Sequence, residues 1–492
     1  MEWKIKSLLL FLAGIVLFAC GGGSELKKPS IKLPSRFFHS AKAQRKNWSC
    51  KEWWKEFGAP FLNKLIVKVL KNNYDIRLAS EKILEMKAMV AQVRARRFPW
   101  FSVSGEASTI HFEPQSSSST ALMMSMPGTA PASPPPSPSS SKDHIETYDL
   151  SLMASYEVDL WKKLSSAEKS VRWKLLATKW NQQTVINTLT AETALKYFQT
   201  LYLTRKISFL KKKLSILKKQ VSVLKERYKK GEIPYLKLKE AEVRYYQLLS
   251  ALPELEKEKE LSLQALSMLA GSFSTLKLQK RELPEITPGL PPFLPSDLLK
   301  RRPDVMFAEA MLKSAKENFY SVRAERFPKI TLTGSLGFIS TELKNFFSGD
   351  NFLWKLSAGI TAPIFNAGYF KARTEMAKSQ YRQALITYAK TVLNAFWDVE
   401  KCLLLEEKLK KEYETKKKLF EETQKIYEFV KKRYSRGVSD YLDLLNAELN
   451  LINAKEGLLD VRFKLLANRI SIYRALGGGT ELCLQKQEKQ SR

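Results

Sequence analysis

From Trp161 to Lys230 the chain runs for about 70 residues without proline or glycine. Within it Ile207, Leu210, Leu214, Leu217, Val221, Leu224 and Tyr228 follow one another in steps of three and four, the seam of a coiled-coil helix. At 1.5 Å per residue such a helix is about 105 Å long, and no compact domain of this size holds it across its core. Gly231 breaks the run, and Pro234 suits the first turn of a second helix that returns to about Ala270. The segment is therefore read as a long helical hairpin.

The second half of the chain replays the first. Arg94-Ala95-x-Arg97-Phe98-Pro99 returns as Arg323-Ala324-x-Arg326-Phe327-Pro328, and Ser102-Val-Ser-Gly105 as Thr331-Leu-Thr-Gly334. A second proline-free run extends from about Ala367 to Arg436. Its Arg433-Tyr434 and Gly437 match Arg227-Tyr228 and Gly231. The matches occur in order, as a duplicated unit requires.

Ahead of each long hairpin the period changes from helical to alternating. A helix is expected from Pro60 to about Arg97, with Leu62, Leu65, Ile66, Val69 and Leu70 on one face. Pro99 ends it, and a strand begins. A Ser- and Pro-dominated segment, Pro114 to Lys142, has no period and reads as an exposed loop. Tyr148, Leu150, Leu152, Ala154, Tyr156 and Val158 then alternate with Thr147, Asp149, Ser151, Ser155 and Glu157. That is a half-apolar strand of about 12 residues, long enough to cross a bilayer at a tilt. Two more alternating runs lie at Ile330–Leu336 and Trp354–Ala362. The expected layout is a signal peptide (1–19), an N-terminal segment (20–60), a first repeat (61–283), a second repeat (284–480) and a polar tail (481–492). Each repeat holds a helix, a β-hairpin (about 100–160 and 329–364) and a helical hairpin (about 161–271 and 367–476).

The N-terminus has a short charged start, an apolar core from Leu8 to Phe18, and Ala19-Cys20 before three glycines. This is a secretory signal, and Cys20 stands where a lipobox places its acylated cysteine. A plain signal peptide with an incidental cysteine is the competing reading. The formal charge is +32, which suggests an anionic partner, but export argues against nucleic acid. Four Cys and three His are too few for a disulfide scaffold or a zinc array. Cys50 and Cys483 are open to pairing in the periplasm, whereas mid-helix Cys402 is expected to be packed. No nucleotide-binding glycine loop, metal-spaced histidine pair or catalytic triad is found, so no enzyme activity and no cofactor beyond the lipid on Cys20 are expected.

Four strands cannot close a barrel around a pore, and in a bilayer each unpaired backbone group costs several kcal/mol. Several copies must share one barrel, and the helices must pack side by side to cover their seams. The expected fold is mainly α with a transmembrane β-barrel part. The expected function is a conduit through the outer membrane, as against a lipid-anchored coiled-coil spacer.

Leu298-Leu299-Lys300-Arg301-Arg302-Pro303-Asp304-Val305 resembles the signature of the TolC-like outer membrane factor family, lipoprotein multidrug-efflux (NodT/OprM-like) branch. Asn73-Tyr-Asp75-Ile-Arg-Leu-Ala79 resembles the matching first-half segment. Tyr156-Glu-Val-Asp159-Leu160-Trp161 and Ala362-Pro363-Ile364-Phe365-Asn366-Ala367-Gly368 resemble its strand-to-helix transitions, although Lys162 stands where a glycine is usual. The resemblance implies a homotrimer with a twelve-strand β-barrel and a twelve-helix α-barrel, docked to a periplasmic adaptor and an inner-membrane pump. Type I protein secretion through the same fold is the alternative. Arg433 to Ala447 resembles the family's periplasmic gate, which implies an apolar constriction at Leu442 and a carboxylate ring at Asp443. Asn446 stands where an acidic residue is frequent. The first tip, Gly231, Pro234 and Lys237, and Gly437 of the second are candidate adaptor contacts. Lys237 aligns with Asp443 between the repeats, so a charge pair within the chain is a second reading of it, and a plain solubilising charge is the one the sequence favours.

Overall fold

The computed structural model describes residues 52–111, 144–273, 282–285 and 301–478. Cys20, Cys50, Cys483, the Ser/Pro segment and the polar tail lie outside the described residues. From Tyr74 onward the described α-helices and strands come twice in one order. The first set, preceded by α1 (Pro60–Asn72), is α2 (Tyr74–Ala95), β1 (Trp100–His111), β2 (His144–Val158), α3 (Lys163–Lys229) and α4 (Tyr235–Leu269). The second is α5 (Pro303–Ala324), β3 (Lys329–Ser340), β4 (Phe352–Thr361), α6 (Tyr369–Ser435) and α7 (Tyr441–Ala475).

Three details differ from the sequence reading. The expected single helix from Pro60 to Arg97 is two, because Asn73 takes an extended backbone and serves both ends. Its N–H caps α1 through Val69 O, its Oδ1 accepts the Asp75 N–H at 2.8 Å, and its Nδ2 donates to Leu269 O at 3.0 Å. Pro234 is the residue before α4 rather than part of its first turn. Pro253 lies inside α4, where the missing N–H costs one helical hydrogen bond.

Compact units do not coincide with the two repeats. Each draws on both halves of the sequence. Among the described residues the helical unit comprises 52–81, 177–273, 282–285, 301–312 and 382–478. Its largest core holds Trp53, Leu62, Ile66, Phe198, Leu266, Leu466 and Tyr473. Trp53 stacks on Tyr473 with centroids 5.2 Å apart. A second core joins Val305, Val392, Val399, Cys402 and Ile472. Burial there pushes the Cys402 thiol up to about 11, so it is a packed, unreactive side chain as expected. Arg302 of the Arg-Arg-Pro-Asp motif repeats the contact of Asn73. Its Nη1 donates to Ala475 O at 3.2 Å, and it also reaches Asp304 at 2.6 Å and Asp398 at 3.1 Å.

Among the described residues the strand unit comprises 82–111, 144–176 and 313–381. Its sheet is antiparallel in the order β1-β2-β3-β4, with the two halves joined between β2 and β3. The register puts Phe101, Val103, Leu150, Leu152, Leu332, Leu336, Trp354, Leu356 and Ile360 on one face. Ser102, Ser104, Glu106, Asp149, Ser151, Thr331, Thr333, Lys355 and Ser357 occupy the other. Trp354 and Leu356 are 71% and 77% exposed, so the apolar face is uncovered there among the described residues. Trp161 closes the strand-to-helix junction by stacking on Phe327 at 4.9 Å and donating from Nε1 to Pro328 O at 2.8 Å.

Lys162 holds φ at +59°, and its repeat counterpart Gly368 holds +83°. The left-handed conformation explains why glycine is usual there, and a lysine costs about 1 kcal/mol in that geometry. Lys162→Gly is expected to raise stability by about 1 kcal/mol, read as a higher midpoint in thermal unfolding followed by circular dichroism.

Candidate gate at the helical hairpin tips

Both hairpin turns are built by the same backbone device within the helical unit. At the end of α3 the Gly231 N–H donates to Tyr228 O and the Glu232 N–H to Arg227 O, each at 2.9 Å. At the end of α6 the Gly437 N–H donates to Tyr434 O at 2.9 Å and the Val438 N–H to Arg433 O at 3.0 Å. This is the Schellman arrangement, which demands a left-handed residue at the turn. Gly231 and Gly437 supply it with φ of +77° and +72°. Tyrosines then meet across each turn, Tyr228 with Tyr235 at 5.6 Å and Tyr434 with Tyr441 at 5.5 Å.

The helix starts differ. Pro234 precedes α4 with no side-chain cap. Asp440 precedes α7 and forms a capping box with Asp443, whose Oδ2 accepts the Asp440 N–H at 3.3 Å. A cap of this kind contributes about 1 kcal/mol, and both carboxylates sit at the favourable end of the helix dipole. Asp443 is thus an exposed helix-start carboxylate. Leu442 is half-buried, Asn446 is exposed, and the buried leucine of this turn is Leu445.

The second tip is tied to α3. Arg227 Nη2 donates to both Asp440 oxygens at 2.7 Å. Gln220 Nε2 donates to Asn446 Oδ1 at 2.8 Å, Lys213 pairs with Glu456, and Lys206 lies 3.9 Å from Asp460. Lys206, Lys213, Gln220 and Arg227 recur every seven residues, beside the apolar seam, and meet α7 in reverse order. Phe209 and Ile216 pack on Leu445 and Ile452 between the rungs. Sequence reading named Asn446 but missed this ladder, whose signal was the seven-residue recurrence of polar residues on α3. The ion pair between the tips is Arg227–Asp440. Lys237 is exposed and forms no ion pair among the described residues, Asp443 included. Gly231, Pro234 and Gly437 are exposed, and Leu236 and Val438 beside them are 67% and 61% exposed.

The model for outer membrane efflux proteins matches residues 65–272 and 294–478. The chain belongs to that family. It is 28% identical over 402 residues to the pyoverdine export outer membrane protein OpmQ of Pseudomonas aeruginosa, covering 81% of each chain. It is 27% identical over 415 residues to SilC of Salmonella typhimurium, named a probable outer membrane lipoprotein, covering 83% of this chain and 84% of that one. Among solved structures, the outer-membrane channel OprN aligns at a TM-score of 0.80 and 25% identity, over 94% of this chain and all of that one. The open state of the MtrE channel of Neisseria gonorrhoeae aligns at 0.78 and 25% identity, over 94% and 99%. The protein is an outer membrane efflux channel, its strands part of a β-barrel and its long helices part of an α-helical barrel.

Burial works against the charge on Asp440, but the Arg227 hydrogen bonds and the Tyr441 and Leu442 N–H groups outweigh it and hold the carboxyl below its usual range. A lowered carboxylate pKa stabilises the paired state above the ordinary value, and that stabilisation is lost as pH falls through the lowered one. The Arg227–Asp440 tie therefore holds at neutral pH and releases only below about pH 4. Both partners are over a third exposed, so the tie contributes about 0.5–1 kcal/mol. Spin labels at Lys230 and Ser439 are expected to report a broadened distance in Arg227→Met at neutral pH. The unmodified pair is expected to broaden only in strong acid.

Proposed function

We propose that this channel is the exit duct of a tripartite system. In this reading it works as a homotrimer that receives small molecules from a periplasmic adaptor and an inner-membrane pump and conducts them passively to the exterior. The observation that carries the trimer is the four-stranded sheet with two unpaired edges and an uncovered apolar face. Three copies give twelve strands, and in a bilayer the edges must be paired. Efflux-system relatives, among them a "cation efflux system protein" CusC of Escherichia coli at 26% identity over 412 residues, support the pump-linked role. Chemistry on the cargo has no place in this reading, and energy comes from the partners.

The hairpin tips serve as the gate and as the adaptor contact. Threefold symmetry turns Leu442 into an apolar ring and Asp443 into a carboxylate ring that attracts cations. Gly231, Pro234, Lys237 and Gly437, beside exposed Leu236 and Val438, form the docking rim. Asn446, held by Gln220, adds no charge to the ring. The ladder from Lys206 to Arg227 keeps α7 against α3 in the closed state, and partner contacts that favour another packing shift the population.

Planar-bilayer recording from the purified protein tests this reading. Defined conductance steps are expected, and a bilayer that stays silent with correctly folded protein overturns it. Asp443→Asn removes the charge yet retains an oxygen for the cap, so it separates the two roles of that side chain. It is expected to weaken block by divalent cations with little change in thermal midpoint. An unchanged block retires Asp443 as a gate residue.

Cys20 carries the lipid that holds the N-terminus to the membrane, supported by its place after the apolar signal core. Cys20→Ala is expected to abolish incorporation of radiolabelled palmitate. Persistent labelling removes the assignment.

A further inference from the structure

The connector between β3 and β4 carries an aromatic cluster that the duct reading does not use. It is ordered by its own hydrogen bonds. Asn351 Nδ2 donates to Asn345 O at 2.6 Å, Asn345 Nδ2 to Glu342 Oε2 at 3.2 Å, and Ser340 Oγ to Glu342 O at 2.9 Å. Two short helical turns, Leu343–Asn345 and Gly349–Asn351, bracket Phe346 and Phe347.

Which way this connector leans is decided by Phe338. Alternation along β3 places Phe338 with Leu332 and Leu336, and the register sets it opposite Leu150 and Phe352. Phe338 is therefore on the apolar face. Its ring meets Phe347 and Phe352, each at 5.6 Å, and Phe346 at 6.3 Å, while Phe346 and Phe347 are 4.9 Å apart. The connector thus folds against the apolar side of the sheet. Phe346 is buried beneath it, whereas Leu343 and Phe347 remain 65% and 72% exposed. Charged Glu342, Lys344 and Asp350 are exposed beside them.

We propose that this connector is an apolar foot on the barrel rim, docked on the acyl chains of the outer leaflet, and that it does not cap the bore. The assignment rests on the β-barrel reading, since it is the continuity of Phe347, through Phe338, with the bilayer-facing side chains that names the occupant. The position agrees. β3 begins beside the end of α5 and β4 ends shortly before α6, so residues 341–351 lie at the end of the sheet away from those helix ends. With the helices in the periplasm, that end faces outward. Large apolar side chains bordered by charged ones suit the boundary between acyl chains and headgroups, where aromatic girdles of barrels sit. A loop covering a water-filled bore would bury such side chains against the polar face instead.

Photocrosslinking in intact cells tests the proposal. The full chain carries p-benzoylphenylalanine at Phe347, Leu343, Leu356 or Ser335, one site per strain. Leu356 reports the mid-sheet apolar face and Ser335 the polar face. Lipid adducts at Phe347 and Leu343 as well as at Leu356, with none at Ser335, are the expected result. Adducts at Leu356 but at neither connector site overturn the foot while leaving the barrel intact. Capture of another protein at Phe347, or of the opposite wall of the bore, overturns it as well. A lipid-free Leu356 sinks the barrel reading and the foot together.

Discussion

Unpaired backbone at the two edges of a four-stranded sheet is the constraint behind the rest of this structure. Among the described residues β1 and β4 each have one partner strand. In water, such edges invite uncontrolled pairing, and in hydrocarbon they are untenable. A bilayer-spanning strand set therefore requires neighbours of the same kind, and the register already separates a face for lipid from a face for water. Residues as different as Trp354 and Ser357 owe their positions to that separation.

The helical unit answers the same problem by other means. Beside its seam α3 carries a second apolar stripe, Phe209 and Ile216, and α7 covers it through Leu445 and Ile452. Beside the apolar contact runs a column of polar pairs. The end rungs, Arg227–Asp440 and Lys206–Asp460, are part-exposed ion pairs that contribute little, whereas Gln220–Asn446 is a neutral hydrogen bond and Lys213–Glu456 a largely shielded ion pair. Together they give the α3–α7 contact a definite register. A fully apolar contact would hold harder and open less readily.

Duplication accounts for the architecture and divergence for the function. The halves share Schellman turns and tyrosine pairs at both tips, and Asn73 and Arg302 make the same contact with the helix beyond. They part company where chemistry matters. Pro234 faces Asp440 in the alignment, and Lys237 faces Asp443. Only the second tip carries the capping carboxylates and accepts Arg227. Two tips of equal backbone thus present unequal charge, so the two hairpins are not equivalent.

Much of this was legible in the residues themselves. The proline-free runs, their glycine stops and the alternating segments depend on local rules of period and backbone freedom, and these are written in sequence order. The Arg-Phe-Pro and Gly-turn matches exposed the duplication for the same reason. The break at Asn73 was not legible, because its side chain chooses between helix and cap according to Leu269 O, a partner 196 residues away. Nor was the pairing of Arg227 with Asp440 or of Gln220 with Asn446, since the α3–α7 register is set by packing between remote segments. The direction taken by the Phe346–Phe347 connector was decided the same way. Composition shows that the segment is aromatic; only the placement of Phe338 on one side of a pleated sheet determines which side the rings cover.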